Sequence, residues 1–165
     1  MADQEDDGAA PSTLYEGHLL VEILSWEWGL YLGVSRVGPR EHRFQGGLDR
    51  VRTIWVEGRI QAPQVHRGRN IKVGFTPFGP ELRFGGGLKS VGSLFPFRSA
   101  PDSRDWEASL MLPEADLPML GIALSTTSRY LHIWTPSVDV EAARVTNYSL
   151  SASLAEKVKA WAGLD

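Results

Sequence analysis

The sequence predicts a mainly β protein, and three observations carry that expectation. Apolar and polar residues alternate with a period of two over most of the chain, which puts one face of each strand on a core and the other towards water. The chain holds 17 glycines and 10 prolines, and many of them fall between the alternating runs, where turns need a permissive or a fixed φ. Helical spacing is found only twice, and both stretches are short. Eight or nine short strands with little helix fit an antiparallel two-sheet β-sandwich, with a closed β-barrel as the alternative. The Gly/Pro-broken middle of the chain lacks the even strand lengths of a small barrel, so the sandwich is preferred.

The clearest pair of strands lies in Val51 to Phe78. Ile54, Val56, Gly58 and Ile60 share one face, with Thr53, Trp55, Glu57 and Arg59 on the other. Ile71, Val73 and Phe75 alternate in the same way with Lys72, Gly74 and Thr76, and Pro63 and Gly68 bracket the turn between. Upstream, residues 1–13 are acidic, small and Pro/Gly-containing and read as a disordered tail. The single β-rich domain then runs over 14–165. His18 to Trp28 predicts a strand, Trp28-Gly29 a tight turn into a second strand, and Arg36 to Asp49 a long exposed loop.

Downstream, short strands are expected around Leu82–Phe84 and, at a sheet edge, over Val91–Phe97. Trp106–Leu112, Arg129–Thr135 and Ala143–Ala152 follow as further strands. Between them, Leu117, Leu120 and Leu124 recur at helical spacing, with Asp116 as N-cap and Pro118 tolerated in the first turn. A C-terminal helix over about 154–162 is expected from a Ser153/Glu156 capping box, the Leu154, Val158, Trp161 stripe and a stop at Gly163.

Composition narrows the function classes. With no cysteine there are no disulfides, thiolate nucleophiles or Cys-based metal centres. No apolar run approaches the ~18–20 residues of a membrane helix, and the acidic start is unlike a signal peptide, so a cytoplasmic protein is expected. The net charge of −3 hides an uneven distribution: residues 1–35 hold seven acids and no Lys or Arg, whereas residues 36–72 hold nine bases against three acids. Such a segment attracts an acidic partner, or simply lies beside the acidic strand in the sheet.

The sequence contains no recognisable catalytic or cofactor-binding motif. GGGLKS is superficially like a phosphate-binding loop, but Leu88 separates the last Gly from Lys89 and the flanks read as strand. His18, His42, His66 and His132 form no HxH or HxxxH pair, and Asp102, Asp105 and Glu107 read as a surface turn. No GxSxG elbow occurs. Glu22, Glu57 and Glu107 on polar strand faces are what a paired-carboxylate glycosidase would use, but a solvated sheet face explains them as well. No cofactor and no metal are expected.

What remains is binding. The leading expectation is a non-catalytic module that engages a protein partner, or a second copy of itself, through an Arg/Trp-rich sheet face and loop: Trp55, Arg59, Arg36, Arg40, Arg43, Phe44, Arg67 and Arg69. One alternative is single-stranded nucleic-acid binding through the basic segment 36–72, where phosphate contacts combine with the aromatic rings of Phe44 and Trp55. The other is carbohydrate binding through Trp55, Trp134 and Tyr130.

Overall fold

A computed structural model describes residues 17–34, 48–78, 90–95, 105–136 and 143–164. The acidic tail, most of the loop over 36–49 and the strand expected around 82–84 lie outside the described residues. The chain is mainly β, with strands β1 (His18–Val34), β2 (Leu48–Ala62), β3 (Asn70–Phe78), β4 (Gly92–Phe95), β5 (Trp106–Pro113), β6 (Tyr130–Trp134), β7 (Ala143–Val145) and β8 (Asn147–Ser151). Helix α1 (Leu117–Thr126) stands between β5 and β6, and α2 (Glu156–Ala162) follows β8. No helix among the described residues is long and apolar enough to cross a membrane.

The strands form one sheet in the order β7-β4-β5-β3-β2-β1-β6-β8, not the two packed sheets of the preferred sandwich. Its terminal strands are consecutive in the chain. β7 bonds to β4, β8 bonds to β6, and Thr146 joins them, so the two ends of the sheet meet and it is nearly closed into a barrel. The single strand expected over Ala143–Ala152 is thus two, broken where Thr146 donates from its backbone N–H to the Trp134 carbonyl at 2.9 Å. The sheet is also not wholly antiparallel, because Ile71–Phe78 runs parallel to Trp106–Pro113. β4 is bonded on both sides, by β5 and β7, and so is not the edge strand its Gly and Pro suggested.

One apolar cluster fills the interior. Ile54, Val56 and Ile60 of β2, Ile71, Val73 and Phe75 of β3, and Trp106, Leu110 and Leu112 of β5 point inward, as their alternation predicts. Leu19, Val21, Leu131, Ile133 and Leu94 complete the walls, and α1 packs Leu117, Leu120 and Leu124 into the same cluster. At roughly 1.5–3 kcal/mol for each large side chain taken out of water, this interior holds the fold together.

Strand β1 runs straight through Trp28-Gly29, where a turn was expected: Gly29 pairs with Thr53 inside a ladder that reaches Val34↔Leu48. The strong strand formers Trp26, Trp28, Tyr31 and Val34 outweigh one glycine. Register shifts between Leu20 and Val21 and between Ile23 and Ser25 interrupt the alternation. As a result Leu20 is fully buried outside the interior cluster, in a second one with Ala62 and Ala162.

Both helices are where sequence placed them, but their caps differ. Asp116 precedes α1 with helical φ and ψ, as the last residue of a 3-10 turn, and makes no side-chain cap. α2 starts at Glu156 after Ala155, without the Ser153 capping box; Glu156 instead pairs with Lys159 at 2.8 Å. Gly163 stops α2 at φ +61°, in the left-handed region glycine favours. A helix this short is marginal by itself. It is held by Leu154, Val158, Trp161 and Leu164 packing on Leu20, Ala62 and Tyr130.

Gly58 of β2 permits the close approach of β1 at its bulge. A Cβ there would fall on Val21 Cγ1 and 2.7 Å from the Glu22 carbonyl oxygen, whereas at Gly29 it would meet nothing within 4 Å. Gly58→Ala is therefore expected to lower the urea midpoint, at a cost of about 1–3 kcal/mol from overpacking. Gly29→Ala should leave it unchanged or slightly raised, since alanine loses less chain entropy on folding. Equal midpoints for the two variants would refute this account of the β1–β2 contact.

Candidate functional site

The outer face of β1, β2, β3 and β5 carries the polar halves of four alternating strands. Register aligns them in rows. Ser25, Glu57, Lys72 and Glu107 form one row, and Glu27, Trp55, Gly74 and Ser109 the next. Towards the β2–β3 turn, Glu22, Arg59 and Asn70 form a third. Trp55 is half-buried at the centre of this face. Its six-membered ring lies on Gly74, so closely that a Cβ there would stand 2.6 Å from Cζ3. Lys72 Nζ lies 5.1 Å from the ring centroid, within cation–π range.

Beside Trp55 the face is concave. A hollow of about 600 Å³ opens between Leu24, Trp55, Glu57, Lys72, Asp105 and Glu107. Ser25 Oγ donates to Glu57 Oε2 at 3.4 Å, a long bond. Arg59 is exposed on the same face of β2, and Gln61 Nε2 donates to Glu22 Oε2 at 2.6 Å on the strand beside it. Arg67 and Arg69 sit in the hairpin turn, where the Arg67 N–H donates to the Gln64 carbonyl and the Arg69 carbonyl accepts from Ile60 N–H at 2.9 Å. The structure thus puts Trp55 and Arg59 on one face and Arg67 and Arg69 at the end of the same hairpin. Arg36, Arg40, Arg43 and Phe44 lie outside the described residues.

The aromatics considered for sugar stacking do not form one row. Trp134 pairs with His18 and Trp55 with Glu27, nine residues apart on β1, or roughly 30 Å at ~3.3 Å per residue. Tyr130 packs in the cluster beneath α2.

Two features of the surface escaped sequence reading. The first is a histidine pair on the outer face of β1 and β6. His18 Nδ1 and His132 Nε2 lie 3.2 Å apart, and one ring donates to the other according to their tautomers. His132 stacks on Trp134 at 4.1 Å between centroids and on Trp161 of α2 at 5.7 Å, with interplanar angles of 26° and 25°. Burial lowers the His18 pKa, and burial followed by the neighbouring His18 lowers that of His132 to about 4. Both rings are therefore neutral at pH 7. No local spacing joins positions 18 and 132; only the β1–β6 ladder does.

The second is an apolar groove of about 200 Å³ between Trp26, Trp28 and Ile54 of the sheet and Leu117, Pro118 and Gly121 of α1. Trp28 is 68% exposed, whereas the sequence pointed to Trp55 as the outward-facing indole. Its alternation is on the inward side, but it stands opposite Ile54, the last residue of β2 to pair with β3. Among the described residues, no three His, Asp or Glu side chains gather as a metal site requires. Compared with protein-family models, with curated proteins and with solved structures, the chain matches none.

The histidine pair generates a pH dependence. The folded pKa of His132, about 4, lies below its ordinary 6.5, so between these values the unfolded chain takes up the proton first. The pair's contribution to stability is complete above pH 6.5 and is lost as pH falls towards 4. Urea midpoints measured at pH 7.5 and 4.5 should drop further for the native chain than for His132→Phe, which keeps an aromatic ring but cannot titrate. An equal drop in both would show that the pair does not couple folding to pH.

Proposed function

We propose that this chain is a non-catalytic interaction module that engages a protein partner through the outer face of the β2–β3 hairpin. The observation that carries this reading is Trp55: a large amphipathic ring, backed by Gly74, half-exposed at the edge of an open hollow and on the same strand face as the exposed Arg59. Buried or half-buried tryptophan and arginine dominate the energetics of protein contacts, because each removes much surface from water and keeps a polar group for orientation. A ring already fixed against the sheet also loses little freedom when a partner covers it.

Nucleic acid fits this face less well. Glu57, Asp105 and Glu107 border the same hollow, and carboxylates there repel phosphates.

Cross-linking followed by peptide mapping tests the reading. Partner cross-links are expected at the lysine nearest the face, Lys72, and should disappear in Trp55→Ala and in Arg59→Ala while far-UV circular dichroism is unchanged. With the partner in hand, Trp55→Ala should weaken binding by about 2 kcal/mol, roughly 30-fold. Unchanged affinity in both variants would remove this face from the contact.

A further inference from the structure

The arrangement of charge around Trp55 says what kind of segment the hollow accepts. Lys72 stands in register between Glu57 on β2 and Glu107 on β5. It pairs with neither among the described residues; its ammonium turns instead to the indole of Trp55, 5.1 Å away. Among the described residues Glu57 receives only the 3.4 Å bond from Ser25, and Asp105 also lines the rim of the hollow. On a flat, water-facing sheet such carboxylates would simply be solvated. Here they border a concavity of about 600 Å³ walled by an indole. Among the described residues, Glu57 and Glu107 flank Lys72 in it, a local charge opposite in sign to the basic character of segment 36–72 as a whole.

The sign reverses along the hairpin. Arg59 follows Glu57 by two residues on the same face, about 7 Å further on, and makes no ion pair with Glu22 opposite it. Arg67 and Arg69 extend the positive end into the turn.

We propose that the hollow receives a lysine or arginine side chain of an extended partner segment, seated against Trp55 between the Glu57 and Glu107 carboxylates, with an acidic residue of that segment answering Arg59. This rests on the reading of the outer face as a protein-docking surface. The chemistry follows from the groups present. An indole face attracts a cation through its quadrupole, and two carboxylates supply charge-assisted hydrogen bonds to it. The partner's cation takes the place on the indole that Lys72 holds in the free chain. Opposite charges two residues apart fix the direction in which the segment lies, as complementary charges set register more than affinity.

A random nonapeptide display library, selected against the intact chain at low ionic strength, tests this without knowledge of the natural partner. Selected peptides are expected to carry Lys or Arg with Asp or Glu two residues away. Their affinity should fall at least roughly tenfold in Glu57→Gln/Glu107→Gln and again on raising the salt concentration. Both substitutions keep side-chain size, and circular dichroism confirms that the variant is folded. Peptides lost on Trp55→Ala but unaffected by the double glutamine change would overturn the cation assignment and leave the docking face standing. Peptides that survive Trp55→Ala, or no enrichment over that variant, would overturn the face and with it this proposal.

Discussion

Closure of the sheet at Thr146 is the constraint from which the rest follows. Residues 143–151 bond on one side of Thr146 to β4 and on the other to β6, which brings together strands far apart in the chain. Without β7 and β8 the six remaining strands would leave β4 and β6 as edges, each with a row of unpaired backbone groups. The short terminal strands satisfy both rows at once. They also bring Ala143 and Val145 into the cluster formed by Leu19, Phe75 and Trp106, so closure and interior packing reinforce each other.

The nearly closed wall leaves two uses for its outside. Over β1 and β6 the outer surface is apolar enough to hold α2, and the His18–His132 pair lies in that contact, ringed by Trp134 and Trp161. Over β2, β3 and β5 no described element covers the sheet, and Trp55 with its charged neighbours faces outward. The bulge at Leu24 lies on the boundary between these regions. It keeps Ile23 and Trp26 both packed on the interior, although an unbroken strand would turn them to opposite faces.

Much of this was legible in the sequence, and what was not has a common cause. Alternation alone assigned the inward faces of β2 and β3 correctly, because each has its full apolar side buried. The stripes of Leu117, Leu120 and Leu124 and of Val158 and Trp161 located both helices. Pairing between distant strands leaves no such local trace. The parallel match of β3 with β5 and the meeting of His18 with His132 join residues 35 or more apart, and the split at Thr146 depends on β4, about 50 residues back, together with Trp134, 12 residues back. Capping residues misled for the opposite reason: Asp116 and Ser153 have the right spacing, but a 3-10 turn and an extended lead-in replace the cap geometry. At the site, the outward face of Trp55 and Arg59 was read from alternation, while Trp28 escaped because its exposure depends on where neighbouring strands end.

That ending of strands makes β1 two things at once. From His18 to Glu22 it lies between β2 and β6, but from Gly29 to Val34 it is bonded to β2 alone among the described residues. A ribbon two strands wide has little cooperative stability of its own, so local opening should need less free energy at its far end than at its root. Amide hydrogens of a single continuous strand would then exchange with solvent on very different timescales, slowly near Leu19 and quickly beyond Gly29. The protein contains a graded element, anchored at one end and free to breathe at the other.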